Sequence, residues 1–382
     1  MKKNITFLLV AFFATLGSLW AQDSKTDKDS VTVKDTKYGE FFKNNLSVTI
    51  DARMDYRAYG ETGQTDGFRA MDQKFQFSDF RFGINGMLTK NIGFSFLYSP
   101  TSTDIGESGI SDDIQYANLW YQSDNGHWFF QAGKGFMNVG TMEQYYDPND
   151  VYMWSIMGYN LGVYKTGVTA QYTTTSGQSF GAQILNSQET DSLGDQHNFE
   201  YNVYWYGYLV KDKITTTASF TVIDDKDDLN TSTPFSANVG LQWTFGDFII
   251  DTDYAMSKNM PNFQDDALYQ SMPIKVMYNG KHWKPYVKYI YNNVRFDQPT
   301  MTVADGEAVY DANINQIEIA LQYYPWEGKN IRFHVVGMYM DDANSYYGDG
   351  IVNSKPNTSH YQGDFQVMAG VRIGFDVLKG WK

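Results

Sequence analysis

Cysteine is absent from the 382-residue sequence, which excludes a disulfide framework, a thiolate metal site and a cysteine nucleophile. Histidine is scarce: 5 scattered residues are a poor basis for a zinc enzyme, and no metal or cofactor is expected. Basic charge is also in short supply. Lys and Arg number 30 against 44 Asp and Glu, for a net charge of −14. The basic footprint that duplex nucleic acid demands is missing, so no nucleic-acid partner is expected. Beyond the N-terminus there is no second long apolar run and no stretch with clear helical periodicity. What the sequence has in excess is rings, with 29 Tyr and 26 Phe in an otherwise hydrophilic chain.

The N-terminus reads as an address. Lys2 and Lys3 precede an apolar stretch from Ile5 to Leu16, and the small residue Ala21 stands before Gln22. This is the pattern of a secretory signal peptide over residues 1–21. A membrane anchor is the alternative, but the run is short for a spanning helix. Residues 22–45 are polar, open with alternating Lys and Asp, and read as a periplasmic leader. Residues 46–382 form one β domain.

From Leu46 onward apolar and polar residues alternate with a period of two, the mark of strands with two different faces. Phe235, Ala237, Val239, Leu241, Trp243 and Phe245 share one face, with Ser236, Asn238, Gly240, Gln242 and Thr244 opposite. Gly246-Asp247 turns the chain into Phe248, Ile250, Thr252, Tyr254 and Met256, giving a tight hairpin. The pattern predicts sixteen strands, among them 75–88, 283–292 and 314–324. Seven tight turns alternate with eight long connections along the chain. That asymmetry predicts a transmembrane antiparallel up-and-down β-barrel with short periplasmic turns and long extracellular loops, located in the bacterial outer membrane. Strands can span lipid only as a closed sheet, because lipid offers no partner for an open edge. The rings near strand ends, such as Trp128, Tyr172, Phe245, Phe248, Trp283 and Tyr289, are then an interfacial girdle.

On this register the opposite face lines a lumen. Its basic candidates are Arg53, Arg57, Arg81, Lys165, Lys275, Lys284, Lys288, Arg332 and Arg372, and its acidic ones include Asp251, Asp253 and Glu318. Basic and acidic members are nearly balanced. The excess acid therefore sits in the leader and in loops, for example Asp224 to Asp228 and Asp341-Asp342. Charged walls around an aqueous channel tune ion selectivity; for any one residue, pairing across strands is the plainer role.

The third long connection, 135–162, has few charges but many Met, Tyr, Phe, Trp and Gly residues. A water-exposed loop is not normally so apolar. Either it folds inward and narrows the pore, packing Met137, Met142, Tyr145, Tyr146, Tyr152 and Trp154 against the wall, or it packs under neighbouring loops or extends strands five and six. Catalytic signatures are poor: His334 lies on the lumen face with no serine at an obvious partner position, so no enzymatic site is expected.

The segments DFRFGINGMLTKNIGFSFLY (79–98) and FFQAGKGFMNVGTMEQ (129–144) resemble the phosphate-selective porin (O and P porin) family. The resemblance implies a sixteen-stranded, often homotrimeric channel that passes anions over lysine and arginine side chains. In this chain the matching loop has Lys134 at its start and no further basic residue until Lys165. The expectation is therefore an outer-membrane porin, in contact with lipid, for small hydrophilic solutes or anions such as phosphate. The competing expectation is a barrel without transport, serving as a surface adhesion or assembly protein or as a membrane hydrolase.

Overall fold

The computed structural model describes residues 45–61, 69–100, 113–190, 197–224, 233–263, 267–300, 309–340 and 364–378. The expected signal peptide, all of the leader before residue 45, and the acidic stretches 225–228 and 341–342 lie outside the described residues.

Sixteen strands form one closed antiparallel barrel in which each pairs with its sequence neighbours and the last returns to the first. They are β1 (Leu46–Glu61), β2 (Arg69–Met87), β3 (Ile92–Tyr98), β4 (Ile114–Gln122), β5 (Trp128–Phe136), β6 (Tyr164–Thr173), β7 (Ser179–Thr190) and β8 (His197–Val210). The second half comprises β9 (Ile214–Ile223), β10 (Phe235–Phe245), β11 (Phe248–Lys258), β12 (Ala267–Tyr278), β13 (Trp283–Thr300), β14 (Val309–Tyr323), β15 (Asn330–Met340) and β16 (Asp364–Asp376). All sixteen expected strands are present. Several run past their expected long-loop ends, the longest extensions being β2, which begins at Arg69, β13, which reaches Thr300, and β14, which begins at Val309. Above the bilayer both faces of a strand are wet, so alternation no longer marks where pairing stops.

The barrel is inside-out relative to a soluble protein. On β14, Ile317, Ile319 and Leu321 are exposed while Gln316, Glu318 and Gln322 are buried; Ile319 is 59% accessible and its neighbour Glu318 1%. On β12, Met272, Ile274, Val276 and Tyr278 face outward and Ser271 and Lys275 inward. Only an apolar surround makes such an exterior stable. Rings collect beside the tight turns on that exterior: Trp128 packs on Tyr172 at 5.0 Å, Phe248 on Tyr278 at 5.4 Å and Trp283 on Tyr323 at 4.5 Å between centroids. There one edge of a ring meets lipid and the other water. Among the described residues no helix is long and apolar enough to cross a membrane.

Candidate functional site

The register sets like charges side by side on the inner wall. Arg53 on β1 stands opposite Arg372 on β16, which stands opposite Arg332 on β15. On the far side Lys275 of β12 faces Lys288 of β13. Such rows are destabilising unless anions come between them. The connection between β5 and β6 supplies those anions.

This connection lies inside the barrel. It carries two short helices, α1 (Met142–Tyr145) and α2 (Ile156–Asn160), with a single 3-10 turn at Pro148–Asp150 between them. Asp150 bonds both Arg332 and Arg372. Asp147 lies 3.0 Å from Arg372 and 3.6 Å from Arg81. Glu143 accepts Lys288 Nζ at 2.6 Å, and the Tyr146 ring lies 3.7 Å from Lys275 Nζ. Burial raises the Asp150 carboxyl and the two arginines outweigh it, leaving it below the ordinary carboxylate range.

The wall also satisfies the loop's backbone. Asp253 accepts the Met142 and Glu143 N–H groups at 2.7 and 2.9 Å, capping α1 from across the lumen. Ser155 caps α2 by accepting Gly158 N–H at 2.9 Å, while Ile156 N–H donates to Asn292 Oδ1 at 3.1 Å. Apolar packing accounts for the loop's composition. Met137, Val139, Ile156, Met157 and Leu161 form one core with Leu185, Ala255, Tyr269, Val294 and Ile314 of the wall. Met153 joins a second with Met277, Ile290, Val336 and Met368. Each fully buried side chain of this size contributes about 1.5–3 kcal/mol. Of the loop residues expected to narrow the lumen, Met137 and Met142 are buried, Tyr146, Tyr152 and Trp154 half-buried, and Tyr145 exposed toward the lumen.

Most of the expected pore-lining residues are engaged in this scaffold. Arg53 Nη1 donates to Asn149 O at 3.0 Å, and its Nε lies 3.1 Å from Asp55; Arg57, half-buried, lies 3.7 Å from the same carboxylate. Asp251 accepts the Tyr146 hydroxyl at 2.5 Å, and Glu318 accepts that of Tyr286. Lys165 pairs with Glu200, both buried. Lys284 sits by the Tyr324 ring, 4.8 Å away. Lys275, Lys288, Asp251, Asp253 and Glu318 enclose, with Glu143 and Asp150, a void of about 20 Å³ behind the loop.

The open space lies on the other side. A cavity of about 1100 Å³ lies between the loop and β1–β4, beside the points where Arg53 and Arg81 reach the loop. It reaches from the tight-turn level, at Asn85 and Asn330, to the long-loop level, at Ser99, Pro100 and Val163. Of the charged residues that alternation places on the inner face, Asp51, Asp79 and Arg81 border it, and Arg81 is the one basic group among them; Asp147 joins them from the loop. At Asp147 the carboxylate stands forward and its guanidinium partner behind: the Asp147 side chain is 37% accessible, that of Arg372 5%.

Glu143, Asp147, Asn149 and Asp150 bind the loop to the charged wall, and strand alternation does not single them out. Their signal was three acids in an otherwise apolar loop, matched to two rows of like charge that appear once the register is known. Ser78 and His334 do meet, but through Asp55, which accepts Ser78 and lies 2.7 Å from His334 Nε2. With the carboxylate between them, the imidazole does not reach the hydroxyl, and the serine–histidine contact of a catalytic triad is not formed.

No family model matches the chain, and no curated protein matches it. Solved structures do. OmpF of Salmonella typhi, in complex with daunomycin, aligns at TM-score 0.58 with 17% identity over 87% of this chain and 98% of that one. The outer membrane channel DcaP of Acinetobacter baumannii aligns at 0.56 with 12% identity over 87% and 96%. An anion-selective porin from Comamonas acidovorans aligns at 0.53 with 13% identity over 86% and 99%. The fold is therefore that of the sixteen-stranded outer-membrane porin barrels. With its apolar exterior, the chain is a β-barrel of the bacterial outer membrane.

Proposed function

We propose that the protein is a porin, a passive diffusion channel for small hydrophilic solutes, with no catalytic step. The observation that carries this reading is the cavity beside the inward-folded loop, which extends from the tight-turn level to the long-loop level of the barrel and is bordered by polar and charged groups. Residues 1–21 would direct export, and a homotrimer, as the family resemblance implies, is part of the same proposal.

Conductance of the purified full-length protein in planar bilayers tests it. Discrete steps are expected; their absence, with heat-modifiable folding intact, overturns the channel and favours a barrel without transport. An anion preference, phosphate included, draws support from the many basic side chains inside the barrel, but the guanidinium groups of Arg332 and Arg372 are nearly inaccessible and already paired. Neutralising Arg81 and Arg332 together lowers the anion/cation permeability ratio if that preference holds. A ratio that stays put refutes it.

A further inference from the structure

The cavity has two properties that charge selectivity does not use. One is ring surface. Tyr116 meets Tyr164 edge-on at 5.6 Å, Tyr164 meets Phe136 at 6.1 Å, Phe136 meets Tyr145 at 6.3 Å and Tyr145 meets Tyr206 at 5.2 Å, so ring contacts run unbroken from β4 across β6 and β5 to the loop and on to β8. Tyr145 and Tyr159 are exposed there, and Trp154 also borders the space. The other property is charge that is present but already matched. Asp51 is held by Arg372, Asp79 lies 3.5 Å from Arg81, and Asp147 lies between Arg81 and Arg372. Asn85, Gln115, Gln144 and Asn330 add neutral amides.

Three solute chemistries can be weighed against this wall. An anion must displace a carboxylate to reach a guanidinium. An ammonium group must compete with a guanidinium for each carboxylate. A neutral solute with several hydroxyls does neither: each hydroxyl can donate to a carboxylate or amide oxygen and accept from an amide or guanidinium N–H. If its skeleton is a ring with an apolar C–H face, that face rests on the tyrosines and Trp154 without losing a hydrogen bond. Resting on the channel reading above, we infer that this cavity is a selectivity site for neutral ring sugars, which it holds in transit between the Tyr145, Trp154 and Tyr159 rings and the paired charges of Arg81, Asp79 and Asp147.

The test uses the full-length protein in planar bilayers, with maltose as the ring probe and mannitol as the linear polyol control. Maltose is expected to lower the ion current saturably, whereas mannitol at matched viscosity lowers it only as the bulk solution does. The double variant Y145A/Y159A should raise the half-blocking maltose concentration about tenfold, the loss of two ring contacts of modest strength. Trp154→Phe, which keeps a ring, should retain the block. Each variant is compared with its own sugar-free current after its heat-modifiable folding is verified. Indistinguishable effects of maltose and mannitol overturn the inference, as does stronger block by gluconate or glucosamine than by glucose. If no conductance steps occur at all, the channel reading falls and this one with it; steps without ring-sugar block remove this inference alone.

Discussion

Replacing Asp150 with asparagine removes one charge from the point where the loop meets three arginines. Arg332, almost inaccessible, then has no carboxylate among the contacts described above and keeps the Asn149 carbonyl at 2.7 Å. Arg372 still holds Asp51 and Asp147. Breaking a buried ion pair from one side costs about 3–5 kcal/mol. The Asp150 side chain is 29% accessible, and an asparagine oxygen still accepts a hydrogen bond, so about 2–3 kcal/mol is the expected loss for the docked loop. That raises the undocked population about thirty- to 150-fold. The absence of cysteine gives a clean assay. Met157→Cys places one thiol in the inner core, at a position 1% accessible, and its labelling rate reports how often the loop leaves the wall. D150N should accelerate labelling by that factor, and adding Arg332→Met should recover most of it, since both charges are then gone. A labelling rate unaffected by D150N would refute the view that the acids of the loop hold it in place.

Deleting residues 140–158 should raise single-channel conductance, because the segment lies inside the barrel beside the open cavity; an unchanged value would show that it does not limit flow. Gly140→Ala places a methyl 2.3 Å from Ser219 N on β9 and interrupts the bond from Gly140 N–H to Ser219 Oγ. The misfit costs about 1–3 kcal/mol and should appear as added open-channel noise. Asp150 titrates below its ordinary value of 3.8, so its contribution is complete above that pH and lost as the pH falls through the lowered value. Loss of the Asp150 contribution should therefore appear as a rise in current noise under strong acid. Ile319→Arg sets a charge on the lipid face at a cost of about 2–4 kcal/mol at mid-membrane and should reduce the heat-modifiable folded fraction.

The barrel was legible because its signals are local. The β10–β11 hairpin, for example, is written in one alternating run, Gly246-Asp247 and a second run, and its observed register from Phe235↔Lys258 to Phe245↔Phe248 follows from those residues alone. The inward loop was half legible. Its apolar residues announced that it would be covered, yet its partners Asp253, Ser271 and Asn292 lie about a hundred or more residues away and carry no mark of that role. The charged lining was hardest to read. Alternation placed Lys275, Lys288, Arg332 and Arg372 on the inner face, but a face is shared by the channel and by the loop that fills part of it. Only three-dimensional proximity tells a side chain in water from one behind a helix.

The position of Asp147 to Asp150 also bears on how the molecule is made. Asp51 and Arg53 come from the first strand, Arg332 and Arg372 from the last two, and the bond between Asp51 and Arg372 joins residues 321 apart in the chain. Pairing the two ends closes the longest loop in the sequence and has the highest entropic cost of any strand contact. The short acidic turn, made midway along the chain, reaches both sides of that join. It can complete its bonds only after the first and last strands have met, and once bonded it opposes their separation. Asp147, which borders the passage, thus joins Asp150 in a latch across the barrel's seam, making the finished lumen a consequence of completed closure.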